Sequence, residues 1–180
     1  MTWQVTKIKV NYPAGFQPTL IIPQQYGPVR YVLGKPGKNN LVCIGMNPSA
    51  ASDQTSDRTV TKIINFAIKQ NYDGYLMLNI YPFRATDAKQ HLNAEPDWTI
   101  HQQNLTTLAK LIKQYQIKEI WGAWGDIDLK RTWLNRIKND VIACCKQNHV
   151  RIFYFGQLTK LHNPRHPLYL HLDPNDKHYY

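Results

Sequence analysis

Apolar and polar positions switch period along this chain, and the switch divides it. From residue 40 onward, short apolar runs alternate with longer stretches of helical spacing. Residues 41–44 are a continuous apolar run ending at Gly45, the pattern of a strand buried on both faces. Val60, Ile63, Ile64, Ala67 and Ile68 then recur at helical spacing, with Ser56 or Asp57 placed to cap the first turn. Residues 75–80 form a second apolar run. A second helix is predicted over 98–115, capped by Asp97 after Pro96, with Ile100, Leu105, Leu108, Leu111 and Ile112 on its apolar face. Residues 119–124 give a third strand. A helix over 129–147 turns Trp133, Leu134, Ile137, Val141 and Ile142 inward, and Arg151–Phe155 is the fourth strand.

Before residue 40 the pattern is different. Val5, Ile8 and Val10, then Leu20–Ile22, then 31–33, read as short strands. Pro13, Pro18, Pro23, Pro28 and Pro36 interrupt them, which argues for edge strands or an irregular wrap. Residues 156–180, rich in Pro and His, read as an irregular tail. The expected organisation is an N-terminal β-rich extension over 1–39 and an α/β domain over 40–180. Four strands joined through three helices require right-handed crossovers, a parallel sheet and helices on both faces: a three-layer sandwich.

A parallel sheet gathers its strand ends on one side, and function belongs there. The first end, 45–49, reads Gly-Met-Asn-Pro-Ser and offers Asn47 and Ser49. The second carries Asn79, Tyr81, Phe83, Arg84 and Asp87; the third, Trp124 and Asp126; the fourth leads to Lys160, Arg165, His166 and Tyr169. No carboxylate pair falls on adjacent strand ends, and there is no Ser-His-Asp signature and no GxxxxGK phosphate loop. Amides, aromatics and a histidine suit a nucleobase. An Asn side chain both donates to and accepts from a base edge, rings stack on base faces, and Arg or Lys holds phosphate. Arg84 and Asp87 read as a loop brace, Asp57 as a helix cap, and Trp121 and Trp124 mainly as core.

Charge strengthens this picture. Lys and Arg number 22 against 12 Asp and Glu, a net charge of +10, and the pI is near 9.5. That balance is the footprint of a polyanion binder. The expected partner is nucleic acid, in particular DNA, or a nucleotide. Cys43, Cys144 and Cys145 are odd in number and lack framework spacing, which indicates reduced thiols and a cytoplasmic protein. The first ten residues lack a signal-peptide core, and no apolar run reaches eighteen residues, so no membrane association is expected. Pro164 and Pro167 break up His162, His166 and His171, so no metal or other cofactor is expected either.

Four short motifs, in order, resemble the uracil-DNA glycosylase superfamily. Gly45-Met46-Asn47-Pro48 is similar to its G-x-(D/N)-P strand end, in the Asn form of the mismatch-specific uracil and thymine glycosylases. Leu76-Met77-Leu78-Asn79 resembles its L-L-L-N stretch, Trp124-Gly125 its W-G, and His166-Pro167 its closing H-P. The likeness covers roughly residues 40–170. A narrower likeness, from the Arg30-Tyr31 stretch through M-N-P-S to R-H-P-L-Y, is to a bacterial family known as domain of unknown function 1643, which brings no established activity.

The glycosylase resemblance implies a strand order of 2-1-3-4 and hydrolysis of the N-glycosidic bond of a non-standard or damaged base. Asn47 would position the attacking water. Asn79 would read the flipped base, and His166 would donate to the base oxygen as the base leaves. Gly45, Met46, Pro48, Ser49, Tyr81, Phe83 and Trp124 would complete the base-binding surface, with Arg84, Lys160 and Arg165 on the backbone phosphates. This chain departs from the strict uracil enzymes. They have Asp where Asn47 stands, and an aromatic where Ser49 leaves room for a thymine methyl. Leu168 follows Pro167 where Ser is usual, so Leu168, Tyr169 and Leu170 are the candidates for a wedge. Three cysteines exclude the cluster-bearing branch. Two other readings use the same scaffold: a non-catalytic nucleic-acid or nucleotide-binding module, and a hydrolase of another small substrate working through Asp57, Asp87 and His166.

Overall fold

The computed structural model describes residues 10–84, 95–126 and 132–180. Val5 and Ile8, Asp87, and the start expected for the third helix at Leu129 lie outside them. The described chain is a mixed α/β fold built on one seven-stranded sheet: β1 (Leu20–Ile22), β2 (Val32–Lys35), β3 (Asn40–Gly45), β4 (Gly74–Asn79), β5 (Glu119–Gly122), β6 (Arg151–Phe155) and β7 (Lys177–Tyr179). Their spatial order is β1-β2-β4-β3-β5-β6-β7. The middle strands β4, β3, β5 and β6 are mutually parallel. β1 and β2 on one flank and β7 on the other run antiparallel.

Three helices cover the faces: α1 (Arg58–Lys69), α2 (Trp98–Gln114) and α3 (Thr132–Gln147). Asp57 caps α1 through Val60 N, and Asp97 caps α2 through Thr99 N and Ile100 N. The alternating side chains of the strands feed two cores. One packs Val60, Ile63 and Ile64 of α1 on Cys43, Tyr75, Met77 and Trp121. The other packs Leu108, Leu111 and Ile112 of α2 and Leu134, Ile137 and Val141 of α3 on Ile44, Leu76, Leu78 and Ile120. Ile68, expected on the apolar stripe of α1, is exposed, while Phe66 and Ala67 in the same last turn are buried.

Two expectations are corrected. The sheet has seven strands where four were read. The Pro-bounded segments before residue 40 join it because β2 pairs with β4 (Leu33 with Met77, Lys35 with Tyr75), supplying the partner that this flank of β4 otherwise lacks. The tail is not wholly irregular: Lys177, His178 and Tyr179 pair with Phe155, Tyr154 and Phe153. A three-residue polar strand carries no period to read.

No helix among the described residues is long and apolar enough to cross a membrane. Arg30 lies before β2, in a stretch that runs antiparallel to 82–84: Arg30 N donates to Pro82 O (2.9 Å) and Arg84 N to Pro28 O (2.7 Å). This pairing carries a basic residue of the N-terminal segment to the exit of β4.

Candidate functional site

In this sheet β4 lies on one side of β3 and β5 on the other, so the chain reverses its direction of winding at β3. α1 accordingly packs on one face, and α2 and α3 on the other. The carboxyl end of β3 is the topological switch point, where open α/β sheets form a crevice. A cavity of about 200 Å³ lies there. Gly45, Met46, Asn47 and Ser49 line it from the turn after β3, Met77 from β4, Thr59 and Val60 from the start of α1, and His166 from the tail, together with Arg30 and Asp57. Drug-sized ligands fill roughly 300–1,000 Å³, so this space takes one small group rather than a whole nucleotide.

Backbone hydrogen bonds hold the walls. Gly45 O and Met46 O accept from Ile80 N and Tyr81 N, and Ile44 O accepts from Ala123 N. Gly125, at φ +69°, donates to Pro164 O, and a Cβ there would lie 3.4 Å from His166 Cβ. This glycine lets the tail fold against the end of β5. Asp126 braces the same approach, accepting from Thr159 Oγ1 and, at 3.2 Å, from Asn163 Nδ2. Gly45 serves by close approach: a Cβ would lie 2.7 Å from Met77 Cε.

His166 is half-buried, and its Nδ1 accepts from Leu168 N at 3.3 Å. That bond assigns the proton of the neutral ring to Nε2. Burial lowers its pKa; the charge of Asp57 opposes the shift and that of Lys62 adds to it. Arg30 is only 2% exposed. Its Nη1 donates to Ala51 O at 2.7 Å, while its Nε has no partner among the described residues. Burial, and then the nearby Arg84 charge, bring Arg30 down to about 10, with the Asp57 charge acting the other way. Asp57 places Oδ1 on Val60 N at 2.9 Å, and its Oδ2 has no hydrogen-bond partner among the described residues.

Asn79 is set just behind Gly45. Its carboxamide Oδ1 lies 3.6 Å from where a Gly45 Cβ would be, and neither Oδ1 nor Nδ2 has a partner among the described residues. Asn104 Nδ2 ties α2 to this strand end through Asn79 O (3.0 Å) and Ile80 O (3.2 Å).

Of the residues singled out from sequence, Gly45, Met46, Asn47, Ser49 and His166 line one cavity. Pro48 is buried in the turn, and Asn79 is adjacent. Tyr81, Phe83 and Trp124 sit in or against the α2–α3 core. Tyr81 Oη accepts from Asp97 N, and Trp124 packs edge-on against Tyr180. Arg84, half-buried, donates through Nη1 to Ser49 O and Ala51 O, while Lys160 and Arg165 are exposed. Arg30 lines the cavity without any site role in the sequence reading, and Asp57, read there as a helix cap and as a working carboxylate only in the alternative hydrolase, lines it too. Arg30 reaches the cavity only through the pairing of 28–31 with 82–84, and a helix cap at a switch point is doubly placed. Cys43, in β3, is wholly buried, and burial pushes its thiol far up, which makes it no nucleophile.

The architecture and the crevice define the class: a three-layer α/β protein with a small cavity of mixed polar and apolar lining at the switch point. Residues 30–168 match the model of a family described as protein of unknown function (DUF1643), and the chain belongs to that family. No curated protein and no solved structure matches it.

Proposed function

We propose that the cavity at the end of β3 receives a nucleobase and that the protein hydrolyses the N-glycosidic bond of a non-standard or damaged base in DNA. The observation that carries this reading is the meeting of the Gly45–Ser49 turn with His166 around one cavity of about 200 Å³. Two further features support it. The parallel strands run β4-β3-β5-β6, the order implied by the glycosylase resemblance. The Asn79 carboxamide, buried and unpartnered among the described residues, is the kind of group that a base edge satisfies.

The chemistry follows from charge. Cleavage leaves a cationic sugar and an anionic base. The His166 Nε2–H, fixed by the Leu168 bond, is a donor for the base oxygen; such a donor is worth about 3–4 kcal/mol when charge develops. A target base must leave the stack, which favours mispaired or damaged bases and single strands. Lys160 and Arg165, exposed and close in sequence to His166, are the phosphate contacts of this reading.

The test is an abasic-site assay on oligonucleotides carrying uracil, mispaired thymine, hypoxanthine or an oxidised base. Release of one of these bases, lowered about 10²-fold or more by Asn47→Ala and by His166→Ala, is the expected result. Folded protein that releases none of them overturns the hydrolase. Salt-dependent binding without release then identifies a binding module.

A further inference from the structure

We propose that Asp57 is the general base of this site, taking the proton from the water that attacks the sugar. The proposal rests on the glycosylase reading and supplies what that reading lacks. A carboxamide has no basic site at neutral pH, so Asn47 can orient a water but cannot deprotonate it. His166 is excluded as well. Its Nδ1 already accepts from Leu168 N, and its Nε2 carries the proton. Among the described residues lining the cavity, Asp57 is the one carboxylate.

Its geometry suits the role. Capping α1 uses one oxygen: Val60 N–H holds Oδ1 at 2.9 Å and so fixes the side chain. Oδ2 is left without a hydrogen-bond partner among the described residues, on a half-buried side chain that lines the cavity. The helix cap thereby serves as a rigid mount for a base. The Asp57 charge favours the protonated forms of Arg30, Arg84 and His166, and of Tyr12 and Tyr75 as well, so its field reaches across the site. That same field favours positive charge developing on a sugar held there.

The step balances. The C1′–N bond breaks, and its electron pair leaves with the base, whose oxygen is held by His166 Nε2–H. A water oxygen bonds C1′ and gives one proton to Asp57 Oδ2. Asp57 then returns the proton to solvent, from which the base anion takes one up. The sum is addition of water across the glycosidic bond.

Asp57→Asn and Asp57→Ser both keep a side-chain oxygen for Val60 N–H, so both variants should melt like the parent. The experiment compares binding of DNA containing a neutral tetrahydrofuran abasic analogue with DNA containing its cationic pyrrolidine counterpart. Single-turnover base release is measured alongside. The parent should prefer the cationic analogue by about tenfold or more. Both variants should lose that preference, keep the affinity for the neutral analogue, and release base about 10²–10⁴-fold more slowly. A preference unchanged in the variants, or equal binding of both analogues by the parent, overturns Asp57 alone. Binding of neither analogue by the parent overturns the glycosylase reading, and Asp57 with it.

Discussion

The two ends of the parallel strands treat polar groups in opposite ways. At the amino end Asn40, Asp73 and Glu119 are engaged, although the buried Tyr75 Oη of β4 has no hydrogen-bond partner among the described residues. Asn40 accepts from Gly37 N and donates to Gly37 O. Asp73 accepts from Lys38 N and Asn39 N, and Glu119 gathers Arg151, Lys177 and Tyr179. At the carboxyl end Asn79 has an idle carboxamide, and Arg30, Arg84 and Trp124 each carry a buried nitrogen with no partner among the described residues. An unmet buried polar group costs about 1–3 kcal/mol. One end is therefore arranged for stability. The other tolerates a cost, the usual mark of a surface completed by something else.

Two glycines give the largest test of this contrast. A Cβ on Gly74, at the amino end, would overlap Asn40 Oδ1 and Gly37 N and lie 2.7 Å from Lys35 O. Gly74→Ala should cost about 3 kcal/mol or more in urea unfolding, because backbone cannot give way. A Cβ on Gly45 meets only the flexible end of Met77 at short range. Gly45→Ala should cost under about 1.5 kcal/mol while narrowing the cavity. Equal losses would erase the distinction between the two ends.

A smaller pair tests the amides. Asn40→Ala removes two hydrogen bonds and should destabilise by about 1–2 kcal/mol. Asn79→Leu removes an unpartnered amide of similar shape. It should be neutral or stabilise by up to about 1 kcal/mol, with base release lost. A large destabilisation by Asn79→Leu would show that the amide already has a structural partner.

The smallest effect is read against pH. Burial lowers the pKa of His166, so its neutral form is favoured on folding; that contribution is complete above about 6.5 and is lost as pH falls through the lower folded value. Burial pushes the Glu119 carboxyl up, but Lys177, Tyr179 and Arg151 outweigh it and hold it below the ordinary range. Its contribution is present above about 4.3 and is lost only below that. Melting temperature against pH should therefore fall first through the carboxyl end. His166→Gln should flatten the slope below 6.5, and Glu119→Gln should flatten only the more acidic part.

The central strands and helices were legible because period and caps are local. Residues 41–44 and 75–80 read as buried strands, and Asp57 and Asp97 announce their helices. β7 and the attachment of β1 and β2 were not, since three or four residues carry no period and their partners lie far away in sequence. The site divides in the same way. Asn47 and His166 follow from the rule that strand ends share one side. Arg30 does not, because only the pairing of 28–31 with 82–84 moves it there.

The flanks of the sheet have a consequence for how the chain behaves in a crowd. Among the described residues its outermost strands, β1 and β7, are three residues each. Pro18 and Pro23 bracket the first, and Lys177 and His178 stand in the second. An open sheet margin is a template on which another chain can add a strand and seed aggregation, and short, charged or proline-bounded margins blunt it. A passing peptide finds three residues of purchase on either side, while the long apolar strands that would hold it firmly are sealed within.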